Sequence, residues 1–182
     1  MKRIQNVVSE LLAKFEVTAP PVPVRKIAKG LGLSIQAYDL GPGVSGALLL
    51  DKEKAIIGLN PNESRERMRF TVAHETGHFI LHRAESALFV DRDVLFRGKE
   101  LNGVKVLFRD GNSSSGELKI EREANTFAAE LLMPVDLLTK EIKSLNLAEY
   151  SHDEDIIQEL ARRFKVSSIA MTYRLTNLGL LQ

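Results

Sequence analysis

Apolar positions in the first part of the chain recur at helical spacing. Ile4, Val7, Val8, Leu11, Leu12 and Phe15 fall three and four residues apart, which predicts an amphipathic helix over residues 2–15. The run Ala19-Pro20-Pro21-Val22-Pro23 ends it, because proline cannot continue the ladder and pushes its predecessor out of the helical region. A second short helix is predicted over 24–31, with Gly32 as its stop. The pattern then changes. Residues 34–40, 44–50 and 55–60 read as strands, joined by turns at Gly41-Pro42-Gly43 and Asp51–Lys54. Three short strands in meander order predict a small antiparallel sheet with a helix over one face. Asn60-Pro61 and Ser64 are start signals for that helix, which can run from Arg65 to His82.

The stretch 83–120 lacks a clear period. Val-Leu-Phe-Arg occurs at 94–97 and again at 106–109, which suggests a local duplication forming a second small hairpin; two copies are too few for a repeat architecture. Residues 110–116 (Asp-Gly-Asn-Ser-Ser-Ser-Gly) read as a loop. Helical spacing returns over 117–132, stopping before Pro134, and over 135–145. Residues 153–164 and 167–178 form a helix-turn-helix pattern closed by Gly179. The expected division is a main domain over 1–146 and a helix-turn-helix-like subdomain over 147–182.

Composition narrows the chemistry. The 182 residues are 44% hydrophobic and 27% charged, with a formal net charge of +1, so strong electrostatic attraction to nucleic acid or anionic lipid is not expected. No apolar run approaches the ~18 residues of a membrane span, and the amphipathic start is unlike a secretory signal, so a cytoplasmic location is expected. The absence of cysteine excludes disulfides, thiolate metal sites and cysteine nucleophiles.

The informative segment is Phe70-Thr71-Val72-Ala73-His74-Glu75-Thr76-Gly77-His78-Phe79. On a helix His74 and His78 stand one turn apart on one face and can share a metal ion, while Glu75 can reach a water on that metal without binding it. This is the His-Glu-x-x-His pattern of zinc peptidases. A catalytic zinc needs a third protein ligand and an open fourth position. A metzincin would place glycine and histidine where Leu81 and Ala84 stand, so that class is excluded. A carboxylate from a later helix is the alternative, with Glu117, Glu121, Glu123 and Glu130 as candidates that spacing does not separate. Glu121 and Asn125 form an i, i+4 pair, which would let one bind metal while the other holds a histidine N–H. His82 continues the histidine series and is expected to pack behind the site, since Phe79 stands where its own general base would be. His152, Tyr150 and Tyr173 are candidates for stabilising an oxyanion. Gly41-Pro42-Gly43-Val44-Ser45-Gly46 matches the dinucleotide fingerprint literally but leads into a strand, so it is read as a hairpin turn.

The chain resembles the ImmA/IrrE family of metallo-endopeptidases along essentially its whole length. The resemblance rests on Val22–Ala28 with Leu31-Gly32-Leu33, Ser45-Gly46-Ala47 with Ile56–Asn60, Arg69–His78, Glu121–Pro134, and the Leu160-Ala161, Arg174-Leu175 and Leu178-Gly179-Leu180 tail. It implies Zn2+ held by His74, His78 and Glu121, with Glu75 as general base. The expected fold is α+β, a small zincin-like domain whose antiparallel sheet packs on the metal helix, followed by the helical C-terminal subdomain. The expected function is zinc-dependent cleavage of a helix-turn-helix transcriptional repressor encoded nearby, relieving repression in a phage, mobile-element or stress programme. A non-cleaving binding protein with structural zinc, or one half of a toxin–antitoxin pair, are the alternatives. Residues 91–120 depart from the family's pattern.

The helix-turn-helix tail is not expected to read DNA. Asp153, Glu154, Asp155 and Glu159 balance Arg162, Arg163, Lys165 and Arg174, and the second helix carries only Arg174. Arg174 is expected to face the rest of the protein and pair with a carboxylate.

Overall fold

Helical spacing in the first residues yields α1 (Lys2–Lys14), whose Ile4, Val8 and Leu11 form one buried stripe. The prolines end it, and α2 (Val24–Gly30) follows. Gly32 then adopts a φ of +91°, a conformation open to glycine, and turns the chain into β1 (Leu33–Ala37). The remaining elements are β2 (Val44–Leu50), β3 (Ala55–Leu59), α3 (Arg65–Leu81), β4 (Leu88–Arg92), β5 (Glu100–Leu101), β6 (Val104–Lys105), α4 (Ser115–Leu132), α5 (Val135–Ser144), α6 (Asp153–Phe164) and α7 (Ser168–Asn177). A computed structural model of the chain describes residues 2–41, 43–50, 54–83, 88–92, 100–101, 104–105, 115–146 and 150–180. Among these, no helix is long and apolar enough to cross a membrane.

The fold is α+β, but its main sheet is mixed rather than antiparallel. Its strand order is β1-β3-β2-β4. β1 runs parallel to β3, Leu33 opposite Ala55, while β2 is antiparallel to both β3 and β4. The expected meander fails because β3 enters between β1 and β2. Burial accounts for this order: β2 and β3 are buried along most of their length, whereas β1 exposes Ser34, Gln36 and Ala37 and takes an edge. The Gly41–Gly43 connection is therefore not a hairpin turn; it joins strands that do not pair. The Asn60 side chain holds it, donating to Gly41 O and Val44 O. β4 adds a fourth strand that the pattern did not predict. Both Val-Leu-Phe-Arg copies lie outside the described residues; between them β5 and β6 pair antiparallel.

α3 lies at the centre. It packs against β2, β3 and β4, against α2, and along α4. Every residue from Thr71 to His78 is buried, so the helix is enclosed on all sides there. Ser64 caps its start by accepting from Arg67 N. Arg69 ties it to distant segments, donating to Val22 O and Lys165 O. Two glycines permit the close packing. A Cβ on Gly77 would stand 3.0 Å from Phe127 Cδ1, and one on Gly46 would collide with the Thr71 methyl group. Leu160, Phe164, Met171 and Leu175 from α6 and α7 belong to the same buried cluster as the sheet and α3. Arg174 is buried there with Glu130, its guanidinium donating to both carboxylate oxygens at 3.0 and 2.6 Å and to Met133 O.

Candidate metal centre

The i, i+4 spacing of His74 and His78 becomes a convergence of ring nitrogens on α3, their Nε2 atoms 3.0 Å apart. α4 supplies the third group. Glu121 Oε2 lies 3.4 Å from His74 Nε2, and Glu121 Oε1 lies 3.3 Å from His78 Nε2. Among the described residues these three form a cluster whose ligand atoms all fall within 4.8 Å of one another. Tetrahedral zinc with bonds of about 2.0–2.1 Å requires ligand atoms about 3.3 Å apart, so the donor set fits that ion. The imidazoles are buried, whereas the Glu121 side chain is 47% exposed, so access from solvent is on the α4 side.

The charge states suit a cation. Burial lowers the pKa of His78, opposed by the Glu121 carboxylate. Burial acts to raise the pKa of Glu121, but hydrogen bonds from His74 and His78 outweigh it and bring it to about 2. The result at neutral pH is an ionised Glu121 carboxylate facing two buried histidine rings, the charge on that group that metal binding demands. Asn125, one turn beyond Glu121, places Oδ1 3.0 Å from His74 Nδ1. With a metal bound, that oxygen would accept from Nδ1–H and leave the Nε2 lone pair for the ion. Phe70, one turn earlier on α3, stacks on the His74 ring with centroids 6.0 Å apart.

The four glutamates weighed as third ligands separate in space. Glu121 joins the histidines, Glu130 is committed to Arg174, and the Glu117 side chain lies outside the described residues. Glu123 meets His82, Oε2 to Nε2 at 3.0 Å, which depresses its carboxyl pKa. His82 is buried, and its Nδ1 lies 3.4 Å from His78 Nδ1. Glu75 is fully buried on α3 beside His74. His152 stands exposed at the start of α6, Tyr173 is exposed on α7, and Tyr150 is half-buried against the core. Sequence reasoning missed the Glu123 contact and the stacking by Phe70. The signal for the first was helical drift: each i+4 step advances about 40°, so His82 is turned about 80° from His74.

Known proteins resemble this chain along most of its length. Residues 28–176 match the family described as the IrrE N-terminal-like domain, a peptidase family. The radiation response metalloprotease IrrE of Deinococcus radiodurans is 30% identical over 168 residues, 92% of this chain and 44% of that protein. The metallopeptidase ImmA of Bacillus subtilis is 28% identical over 141 residues, covering 78% of this chain and 68% of ImmA. An uncharacterized immunity region protein of Bacillus phage phi105 is 27% identical over 131 residues, covering 72% of this chain and 68% of that protein. A Mycobacterium tuberculosis transcriptional regulator shares the fold, with a TM-score of 0.63 at 13% identity over 97% of this chain and 47% of its own. This chain spans less than half of the Deinococcus protein and about two thirds of the Bacillus and phage proteins. With the family match covering most of its length and a His-His-Glu cluster able to hold a divalent metal, the chain belongs to the IrrE N-terminal-like family of metallopeptidases.

Proposed function

We propose that the chain is a zinc-dependent endopeptidase of zincin-like architecture that cleaves a helix-turn-helix transcriptional repressor encoded nearby, in the cytoplasm. The convergence of His74, His78 and Glu121 on one point, with Glu75 between the two histidines in sequence, is the observation that carries this reading. Bound there, zinc supplies a Lewis acid that brings the pKa of water toward about 7 and polarises a peptide carbonyl. His74, His78 and Glu121 hold the ion, and Asn125 fixes the His74 ring. Glu75 accepts the proton of the attacking water and passes it to the leaving amine. Among the described residues β4 is the edge strand that packs against α3, and an extended substrate would pair with its outer side. The repressor target is supported by the phage immunity-region relative.

The test is incubation of the zinc-loaded protein with the product of the adjacent regulator gene. Glu75→Gln keeps size but removes the base, and should slow cleavage by roughly 10²–10⁴ while zinc content stays near one per chain. Equal cleavage by Glu75→Gln would overturn the assignment.

A further inference from the structure

The face of α3 that carries the histidines continues toward the start of the helix. Phe70 stands one turn before His74, and Arg67 about two turns before it. Phe70, half-buried, sets its ring against the His74 imidazole, with the planes 29° apart and the centroids 6.0 Å apart. His78 meets the same imidazole edge-on, at 78° and 4.6 Å. The Arg67 guanidinium lies over the Phe70 ring, 5.7 Å from its centroid. Arg67 is anchored in turn. Its Nε donates to Ser45 Oγ at 2.9 Å, and that hydroxyl donates to Glu63 Oε1 at 3.2 Å.

Ser45 is where the sheet breaks step. β2 pairs Val44 with Arg92 and Gly46 with Asp91, so Ser45 is an extra residue in its strand, a bulge. Gly46 faces α3, since a Cβ there would collide with Thr71, and strict alternation would turn Ser45 the other way. The bulge re-aims the buried Ser45 hydroxyl onto Arg67 of α3. A continuous line of contacts therefore runs from β2 through Arg67 and Phe70 to His74.

A polar contact and a ring stack restrain an imidazole differently. Asn125 Oδ1 faces His74 at Nδ1, 3.0 Å away, and holds the ring in its own plane. The ring can still tilt about the line from Cβ to Nδ1, which would swing Nε2 out of line with His78 and Glu121. Phe70, lying across the face of the ring, opposes that tilt.

We propose that Phe70 is a positioning residue for His74, and that Arg67, braced on the Ser45 bulge, holds Phe70 in that role. The sheet as well as α4 then sets the metal-facing geometry. This rests on the zinc reading of the site.

Zinc affinity by chelator competition, the absorption spectrum of the cobalt(II)-loaded protein, and urea denaturation without metal test it together. Phe70→Leu keeps an apolar side chain but removes the flat face. It should weaken zinc about three- to tenfold and change the cobalt bands, which report ligand geometry. Phe70→Tyr keeps the ring and should restore both; Phe70→Met repeats the test should Phe70→Leu not fold. Leu11→Ala, in the buried stripe of α1, should lower stability and leave zinc affinity unchanged. Arg67→Met should weaken zinc in the wild type but not further in Phe70→Leu, because it acts through that ring. Wild-type affinity and cobalt bands in Phe70→Leu, no rescue by Phe70→Tyr, additive losses from Arg67→Met and Phe70→Leu, or an equal loss in Leu11→Ala would each overturn the proposal. A wild type that binds no zinc defeats the zinc reading instead. The stack is then decided in metal-free protein, where the His74 ring-proton NMR signals should be sharp in wild type and broadened in Phe70→Leu.

Discussion

Replacing Gly77 with alanine should injure the metal site without touching a ligand. Gly77 lies inside α3 between the two histidines, where alanine by itself would favour the helix by about 1 kcal/mol. The structure opposes that gain. The added Cβ would stand 3.0, 3.2 and 3.3 Å from Cδ1, Cγ and Cβ of Phe127, against ordinary carbon contacts of about 3.5–4.0 Å. Phe127 Cβ is fixed to the α4 backbone, and its ring is fully buried, so rotation of the side chain cannot relieve all three contacts. α3 and α4 must separate by about 0.5 Å. Overpacking of this kind costs about 1–3 kcal/mol. Set against the helix gain, the net effect on metal-free protein is a loss of about 0–2 kcal/mol, a fall of a few degrees in Tm. The same separation carries Glu121 away from the histidines by more than the ~0.2 Å that metal–ligand distances tolerate. Zinc affinity should therefore drop by about tenfold, or 1.4 kcal/mol. Thermal denaturation without metal and chelator competition with zinc measure the two effects. If Gly77→Ala gains the full helix benefit and binds zinc as tightly as wild type, the close approach of α3 and α4 does not set the site.

Three further outcomes are expected. Arg174→Met strands the Glu130 carboxylate, whose side chain is only 7% exposed, and should destabilise the fold by roughly 3–5 kcal/mol in urea denaturation; adding Glu130→Leu should recover much of it. Because Arg174 is buried in that pair, the tail should show no tight DNA binding in a mobility-shift assay at about 0.15 M salt, and a tight complex would refute this reading of α7. Hydrogen bonds from Arg162 and Arg163 hold the Glu159 pKa down to about 2. A depressed carboxyl pKa stabilises the fold above its unfolded value near 4.5 and loses that contribution as pH falls toward 2. Carbon NMR should find Glu159 still ionised at pH 3, and Glu159→Gln should flatten the acid dependence of stability in that window.

Much of this protein is written locally. The Ser64 cap, the proline stops and Gly32 act within a turn of themselves, so the helices and the first three strands were legible within a few residues of their ends. The His74/His78 pair was legible for the same reason, since helix geometry alone brings residues four apart together. Strand order was not. A period of two assigns each side chain to a face but says nothing of which strand lies alongside, and it took burial on both faces of β2 and β3 to place β3 between β1 and β2. The third member of the cluster had the same character. Spacing within α4 left Glu117, Glu121, Glu123 and Glu130 equivalent, although the family resemblance singled out Glu121. The packing of α4 on α3 at Gly77 and Phe127 sends Glu121 to the histidine nitrogens, Glu123 to His82 and Glu130 to Arg174. Their roles depend on rotation and register between two helices separated in sequence by residues 82–114, which only the packed core decides.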